Sequence, residues 1–477
     1  MVDLKFTTMT GAETIVEEAA VEELKSGLRG ELILPSDADY EEARTIFNAM
    51  IDKRPSLIVR CAGVADVISC VNFARANSLL VAVRGAGHNV AGTAVCDGGI
   101  VIDLSQMKGV RTDLAARTVR AEPGLTWAEL NHDLQPFGLA ATGGFISTTG
   151  IGGLTLGGGL GWLVRKHGLA CDNLLSVDIV TADGKFLTAS ATENEDLFWG
   201  VRGGGGNLGV VTSFEFRVHP VGTVLSGMVV HPIARAKEVL QFWREFEATA
   251  PVELTTGAGL LMAPSAPFVP EEAWGTPVIG VFGVYTGDLD AGEQAIRPLR
   301  EFGPPVVDLF QPTPYNIAQA MLDDFMPTGY HNYWKSSFLT DLTDDAIDTM
   351  IAQFAKVPSP MTVVIIEHNG GGAMNRVGAS ETAFGHRDMS YNFLIPSMWT
   401  DPADSEKNIA WTREYWEAMQ PFARDAVYVN YLDQEGDERV KAAYAGPAYD
   451  RLVTLKNKYD PTNLFRLNQN IKPTVEV

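Results

Sequence analysis

The sequence predicts an α+β protein of more than one domain, and three observations carry that expectation. The chain has 477 residues, more than one hydrophobic core usually serves. Short β-branched apolar runs alternate with segments of helical period, which requires mixed layers of strands and helices. The composition also changes twice. Glycine clusters crowd residues 80–212, the middle is richer in proline, aspartate and aromatics, and the last fifty residues return to a strongly patterned segment.

Taken in order, Ala43, Ile46, Phe47, Met50 and Ile51 recur at helical spacing after the acidic stretch 36–39, which predicts a helix. A short apolar run at 57–59 precedes a second helical pattern through Val64, Val67, Ile68 and Val71. The run 79–83 reads as a strand that leads directly into RGAGHNVAG. A helix is predicted over 126–136, and further strands at 99–104, 177–181 and 210–218. The region 221–424 mixes strand-like runs (278–285, 361–368, 392–398) with helices (234–249, 404–419) and reads as a separate α+β substrate domain. Neither an internal repeat nor a low-complexity tract is present.

Bulk properties exclude several functions. A hydrophobic content of 46% with 20% charged residues is ordinary for a soluble globular protein. The formal charge of −22 argues against nucleic acid and anionic membranes, which both need a basic face. The cysteines, Cys61, Cys70, Cys96 and Cys171, form no CxxC, which excludes a disulfide scaffold and the usual zinc-finger spacings. The N-terminus carries early acids and no apolar h-region, and no run approaches the roughly 20 apolar residues of a membrane span. A reduced, cytoplasmic setting is the expectation.

Four glycine-rich stretches dominate: RGAGHNVAG (84–92), TGIGGLTLGGGLGW (149–162), ADG (182–184) and WGVRGGGGNLGVVTSFEF (199–216). Glycine is costly in backbone entropy, so this density needs a reason. Tight turns are one; close approach of backbone N–H groups to an anionic ligand is the other. Four such stretches within 130 or so residues favour the ligand. There is no GxxxxGK[ST], so a P-loop enzyme is excluded. Gly204, Gly206 and Gly209 satisfy GxGxxG formally, but they lead into the strand-like VVTSFEFRV. A dinucleotide-binding fingerprint opens a helix instead, and that fold is rejected. HExxH and GxSxG are both missing.

With RGAGHNVAG followed by GGLTLGGGLGW, the sequence resembles the vanillyl-alcohol-oxidase type of flavoprotein, specifically its berberine-bridge-enzyme-like branch. NLLSVDIVTADGK, DLFWGVRGGGGNLGVVTSFEF, YVNYLD and YDPTNLFRLNQNI continue the resemblance, which is strongest over about the first 220 and last 50 residues. It implies a two-lobed PCMH-type FAD-binding domain over 1–220, an inserted substrate domain over 221–424, and a C-terminal return at 425–477. It also implies a pyrophosphate cradle in the first glycine loop (Arg84, Gly85, Ala86, Gly87, Asn89, Ala91, Gly92) and a bond from His88 to the flavin 8α-methyl carbon. Neutral imidazole is a competent nucleophile toward that carbon in the methide form of the flavin. From the second run the expected contacts are Thr148, Thr149, Gly150, Gly152, Gly153 and Leu156, then Gly157, Gly158, Gly159, Gly161 and Trp162. From the third they are Gly205, Gly206, Asn207, Gly209, Val210 and Val211. Near the C-terminus, Asn468, Gln469 and Asn470 suit hydrogen bonds to the ring edge or ribityl chain. Many members of the branch add a cysteine tether just before the GxGG run. Here Phe145, Ile146, Ser147, Thr148 and Thr149 stand there, so a mono-covalent FAD is expected.

The resemblance also places catalytic side chains on a strand whose pattern here is Tyr428-Val429-Asn430-Tyr431. In a strand, Tyr428 and Asn430 share a face and Tyr431 points away. Tyr428 is then the expected base and Asn430 a polar contact, with Lys335 lowering the phenol's pKa. Glu367, His368 and His386 are further candidates, although His386 and Arg387 can equally cap or bridge. Trp334, Tyr333, Tyr391 and Trp399 can line an aromatic-friendly pocket or fill a core. The function implied is an oxidase that takes a hydride from an alcohol, sugar or amine and reduces O2 to H2O2. The alternatives are a dehydrogenase with another acceptor and a catalytically silent flavoprotein. The expected partners are a small substrate and O2, in a monomer or homodimer.

Overall fold

The computed structural model describes residues 4–475. Three large sheets organise the described chain, beside two of two strands each. The first has four strands in the order Glu31–Ile33, Leu57–Arg60, Ile100–Asp103, Val81–Arg84. Its last three strands pair in parallel, and the helix Val64–Ala76 packs Val67, Cys70 and Val71 against them. The second sheet has five antiparallel strands, with Val210–Arg217 between Leu174–Val180 and Thr118–Ala121. The helix Trp127–Leu134, which opens on a Thr126–Glu129 capping box, packs Trp127, Leu130 and Leu134 into the core that holds Phe214 and Phe216.

The third sheet is antiparallel and has eight strands, running from Thr223–Pro232 in sequence to Tyr391–Trp399. The helices Ala236–Glu247, Asp344–Phe354 and Ser405–Met419 share its core through Trp243, Met350 and Tyr415. Several of its strands are buried along nearly their whole length, as in Leu254–Met262 and Tyr391–Trp399. Strands covered on both faces carry mostly small or apolar side chains, and their buried polar ones are paired, as Thr256 is with Trp243 and Asn392 with Glu367. The chain then returns: the helix Pro447–Tyr459 buries Leu452 and Leu455 in the core of the second sheet. Asp460 ends that helix by accepting the amides of Leu464 and Phe465 and pairing with Lys456 at 2.7 Å.

Two predicted elements take another form. The helix expected through residues 43–51 stops at Arg44. Beyond it, the Phe47 amide donates to the Gly87 carbonyl and the Ala49 amide to Tyr330. The side chain of Asn48 bridges Val90 and Asn332. Tertiary partners have taken the backbone groups that a helix would have paired. The predicted strand at 428–431 is instead a 3-10 turn, Val429–Tyr431, with Tyr428 as its N-cap.

Candidate active site

The three sheets and the C-terminal return enclose a cavity of about 1880 Å³, its open mouth included. From the first sheet, the loop after Val81–Arg84 contributes Gly85, Ala86, Gly87, His88 and Asn89. The second glycine run contributes Thr149, Gly150, Gly152, Gly153 and Leu156, and the third Gly205, Gly206, Gly209, Val210 and Val211. Tyr428, Asn430, Tyr431, Asn468 and Gln469 line it from the C-terminal return. Trp334, Ile365, Glu367 and Leu394 line it from the large sheet.

The remaining candidates stand behind the wall. Arg84 is buried in an ion pair with Asp103 at 2.5 Å. Ala91 offers its carbonyl to Gln434, and a Cβ at Gly92 would collide with Ile51. Thr148 is exposed. Asn207 ties the third glycine run to the C-terminus: it donates to Gly204 and Gln469 and accepts from Ile471. Asn470 does not line the cavity. Gly157, Gly158, Gly159 and Gly161 owe their identity to packing. A Cβ at Gly161 would lie 1.7 Å from the Gly143 carbonyl oxygen, and one at Gly159 would lie 2.4 Å from Ala170 Cβ. Trp162 backs the wall edge-on to Phe145 and Phe282. Here the expected ligand contacts give way to a close-packed turn.

His88 carries the clearest mark of a missing partner. Its ring stacks on Phe47 with centroids 4.1 Å apart, and its buried Nε2 has no hydrogen-bond partner. Burial lowers its pKa to about 4, so the imidazole is neutral at physiological pH. Asn468 Oδ1 is likewise unpartnered. A Cβ at Gly153 or Gly206 would meet nothing within 4 Å, so both face open space. Orphaned polar atoms, a glycine cradle facing open space and a large, mostly apolar cavity suit a flavin dinucleotide. No cysteine lines the cavity, and all four are buried elsewhere.

The 3-10 turn decides the rest of the site. Its period of three puts residues i and i+3 on one side, so Tyr428 and Tyr431 both line the cavity, ring centroids 4.9 Å apart. Tyr431, expected to point away, instead donates its hydroxyl to Glu367 Oε1 at 2.7 Å. Asn392 donates to Glu367 Oε2 at 2.8 Å. Burial raises the Glu367 pKa to about 7, against the lowering effect of these two bonds. The Tyr428 oxygen accepts N–H donors from Gly159, Leu160 and Asn430 at 2.9, 3.2 and 2.7 Å. Burial nevertheless pushes that phenol well above its ordinary range.

Lys335 is not part of this arrangement. It neighbours Trp334 on the strand His331–Leu339, so its side chain leaves by the opposite face. There its ammonium pairs with Glu435 at 2.7 Å, and it cannot assist Tyr428 as expected. His368 likewise alternates away from Glu367 and meets Glu247. His386 bonds the Ala442 carbonyl, and Arg387 makes a bidentate pair with Asp172. Tyr333 stacks under Arg413, while Tyr391 and Trp399 are core. Phe47 and Asn392 were not found from the sequence. Phe47 read as one apolar position of a helix, and Asn392 gained meaning only from its cross-strand register with Glu367.

Comparison with known proteins agrees with this geometry. Residues 55–190 match the family model described as an FAD binding domain, and residues 427–472 match the one described as berberine and berberine like. An FAD-linked oxidoreductase of Dictyostelium discoideum is 31% identical, the match covering 95% of this chain and 97% of the relative. (R)-6-hydroxynicotine oxidase of Paenarthrobacter nicotinovorans is also 31% identical, over 94% and 97%. The crystal structure of 6-hydroxy-D-nicotine oxidase from Arthrobacter nicotinovorans superposes with a TM-score of 0.85 at 30% identity, covering 93% of this chain and 98% of that one.

Proposed function

The chain belongs to the FAD-linked oxidoreductases of the berberine-bridge-like family, and from that premise we propose that it is an oxidase holding FAD through a single covalent bond to His88. FAD held there by His88 and the glycine loops would supply two-electron chemistry, hydride removal from a substrate carbon and return of both electrons to O2 as H2O2. The observation that carries the proposal is a neutral, unpartnered His88 imidazole in the wall of the same cavity as the Glu367 carboxyl group.

The protein's own groups divide the remaining work. Glu367 takes the proton from the substrate O–H or N–H, because a carboxyl poised near pH 7 is half in its basic form there. Tyr431 and Asn392 fix both carboxyl oxygens and so aim the remaining lone pairs. The Tyr428 oxygen is already taken up by three N–H donors that anchor the turn at Gly159 and Leu160, so we assign the base to Glu367 instead. The name of the 31% identical (R)-6-hydroxynicotine oxidase supports the oxidase reading.

The test is anaerobic photoreduction of the purified yellow protein followed by mixing with air. Rapid return of colour with one H2O2 per flavin is expected. Slow reoxidation by air, with fast reoxidation by a quinone or dye, would make the protein a dehydrogenase.

A further inference from the structure

We propose that residues 315–330 are a strap closing the flavin cavity, and that Asp323, hydrogen-bonded to Ser147, is the positioning residue that latches it. The lining residues from region 221–424 fall into two groups. Phe282, Trp334, Ile365, Glu367 and Leu394 stand on strands of the large sheet. Leu322 and Met326 instead come from the connection between its strands Gln311–Pro314 and His331–Leu339. That connection is one layer thick: Leu322 and Met326 face the cavity, while Asp324, Thr328 and Gly329 beside them are exposed to solvent.

The strap is tied to the flavin side at both ends. At the near end, the Asn316 amide donates to Gln135 Oε1 at 3.0 Å and Gln319 Nε2 to the Gly144 carbonyl at 2.9 Å. Asp323 then accepts both donors of Ser147, the amide on Oδ1 at 2.7 Å and the hydroxyl on Oδ2. At the far end, the Gly329 amide donates to the Phe47 carbonyl at 3.1 Å, and the Tyr330 carbonyl accepts from Ala49 at 3.0 Å. Phe47 is the residue stacked on His88. Among the described residues, 324–328 make no hydrogen bond outside the strap. Asp323 is thus the last polar tie before a span held only by the packing of Phe325 and Met326.

The two partners of the latch are unequal. Ser147 is buried, and its carbonyl accepts the Ala128 amide at 2.9 Å in the first turn of the helix Trp127–Leu134. Its neighbours Phe145, Ile146 and Thr149 line the cavity. Asp323 opens the 3-10 turn Asp323–Phe325, which stands between Leu322 and Met326. Ser147 is therefore the fixed post and Asp323 the part that moves. Asp323 itself does not line the cavity, so it acts through Leu322 and Met326 and not on the reacting atoms.

Hydrogen bonds suit a latch because water takes over both sets of partners when the strap lifts. Each bond exchanged in this way shifts the opening equilibrium by a factor of about two to ten. With the latch closed, Leu322 and Met326 complete the wall; with it open, small molecules reach the flavin past residues 324–328. The latch needs paired contacts and not a charge. Asp323→Asn keeps both, since the amide oxygen accepts the Ser147 N–H and the amide nitrogen donates to the Ser147 hydroxyl. Asp323→Ala keeps neither.

The test mixes the holoprotein with sulfite at neutral pH and follows bleaching of the flavin bands, a readout that needs neither substrate nor O2. Hydrogen exchange of the strap peptide is measured in parallel by mass spectrometry. Asp323→Ala should bleach and exchange about tenfold faster or more, having lost two bonds, and Ser147→Ala, which keeps the backbone bond, should fall between it and the native protein. Asp323→Asn should stay within about twofold of the native rates. So should Asp324→Ala, which removes an equal charge from the exposed neighbour. Asp323→Asn bleaching as fast as Asp323→Ala overturns the latch, because the lost charge then governs the approach of the anion. Strap exchange unchanged in Asp323→Ala also overturns it, whatever sulfite does. So does faster exchange spread evenly over the whole chain, which would make Asp323 a residue of general stability. Should Asp323→Ala fail to fold, Ser147→Ala against Asp323→Asn decides by the same two rates, and equal rates overturn the proposal.

Discussion

At the scale of single residues, His88 and Glu367 are tuned in opposite directions by the same cause. Burial disfavours the charged form of each, lowering the imidazole to about 4 and raising the carboxyl to about 7. The imidazole is left neutral and the carboxyl is about half ionised near neutrality. Acid precipitation of the native protein should therefore leave a yellow pellet, whereas His88→Ala should release all its FAD to the supernatant. Glu367→Gln should slow flavin reduction about 10²–10⁴-fold, the usual worth of a general base, and leave reoxidation nearly unchanged in stopped-flow traces. The pH profile follows from the sign of the shift. Below about 7 the carboxyl is protonated, so the reduction rate should rise with pH and level off above that value. Tyr431→Phe removes a hydrogen bond that lowers this pKa, so the break in the profile should move to higher pH.

At the scale of elements, the glycine runs divide into two kinds that look alike in sequence. Gly153 and Gly206 face open space, whereas Gly159 and Gly161 are pressed against Ala170 and the Gly143 carbonyl. Gly206→Ala should leave folding intact and weaken or slow flavin incorporation, read as the flavin-to-protein absorbance ratio. Gly161→Ala should instead destabilise the fold, since its Cβ would overlap backbone that has no soft atom to move. The turn around Gly159 is also held by the Tyr428 oxygen, its acceptor for two amides. Tyr428→Phe should cost about 1–3 kcal/mol in denaturant unfolding, because those N–H groups stay buried and lose their partner.

At the scale of the whole molecule, buried polar bridges join parts of the chain that lie far apart in sequence. Arg387 meets Asp172 through two bonds of 2.7 Å. Arg165 meets Glu247 at 3.3 Å and reaches the carbonyls of Leu254 and Gly370. Asn48 joins the first glycine loop to the strand His331–Leu339. Each of these bridges joins residues 1–220 to the region 221–424. Arg387→Ala leaves the Asp172 carboxylate buried without its cation, which should cost about 3–5 kcal/mol. A fall in melting temperature accompanied by slower flavin reduction would show that the bridge sets the geometry of the site. A fall in melting temperature alone would confine it to stability.

Local pattern by itself determined the α+β class, the glycine loop that carries His88, and, to within a few residues, most of the strands and helices it placed, while others such as Leu254–Met262 and Asp344–Phe354 went unplaced. These features depend on side-chain period, on turn chemistry and on motifs contiguous in the chain, so a linear reading reaches them. The strand Tyr391–Trp399 and the helix Val64–Ala76 are of this kind. Only the tertiary structure decided that residues 45–51 are not helical, that Tyr431 turns inward, and that Lys335 faces Glu435. It also decided which glycines face space and which face backbone. The physical reason is common to all of these. Each depends on a partner tens to hundreds of residues away, such as Gly87 for Phe47, Glu367 for Tyr431 or Gly143 for Gly161. A hydrogen bond or a van der Waals overlap with a distant group outweighs local propensity, and nothing in the local sequence records it.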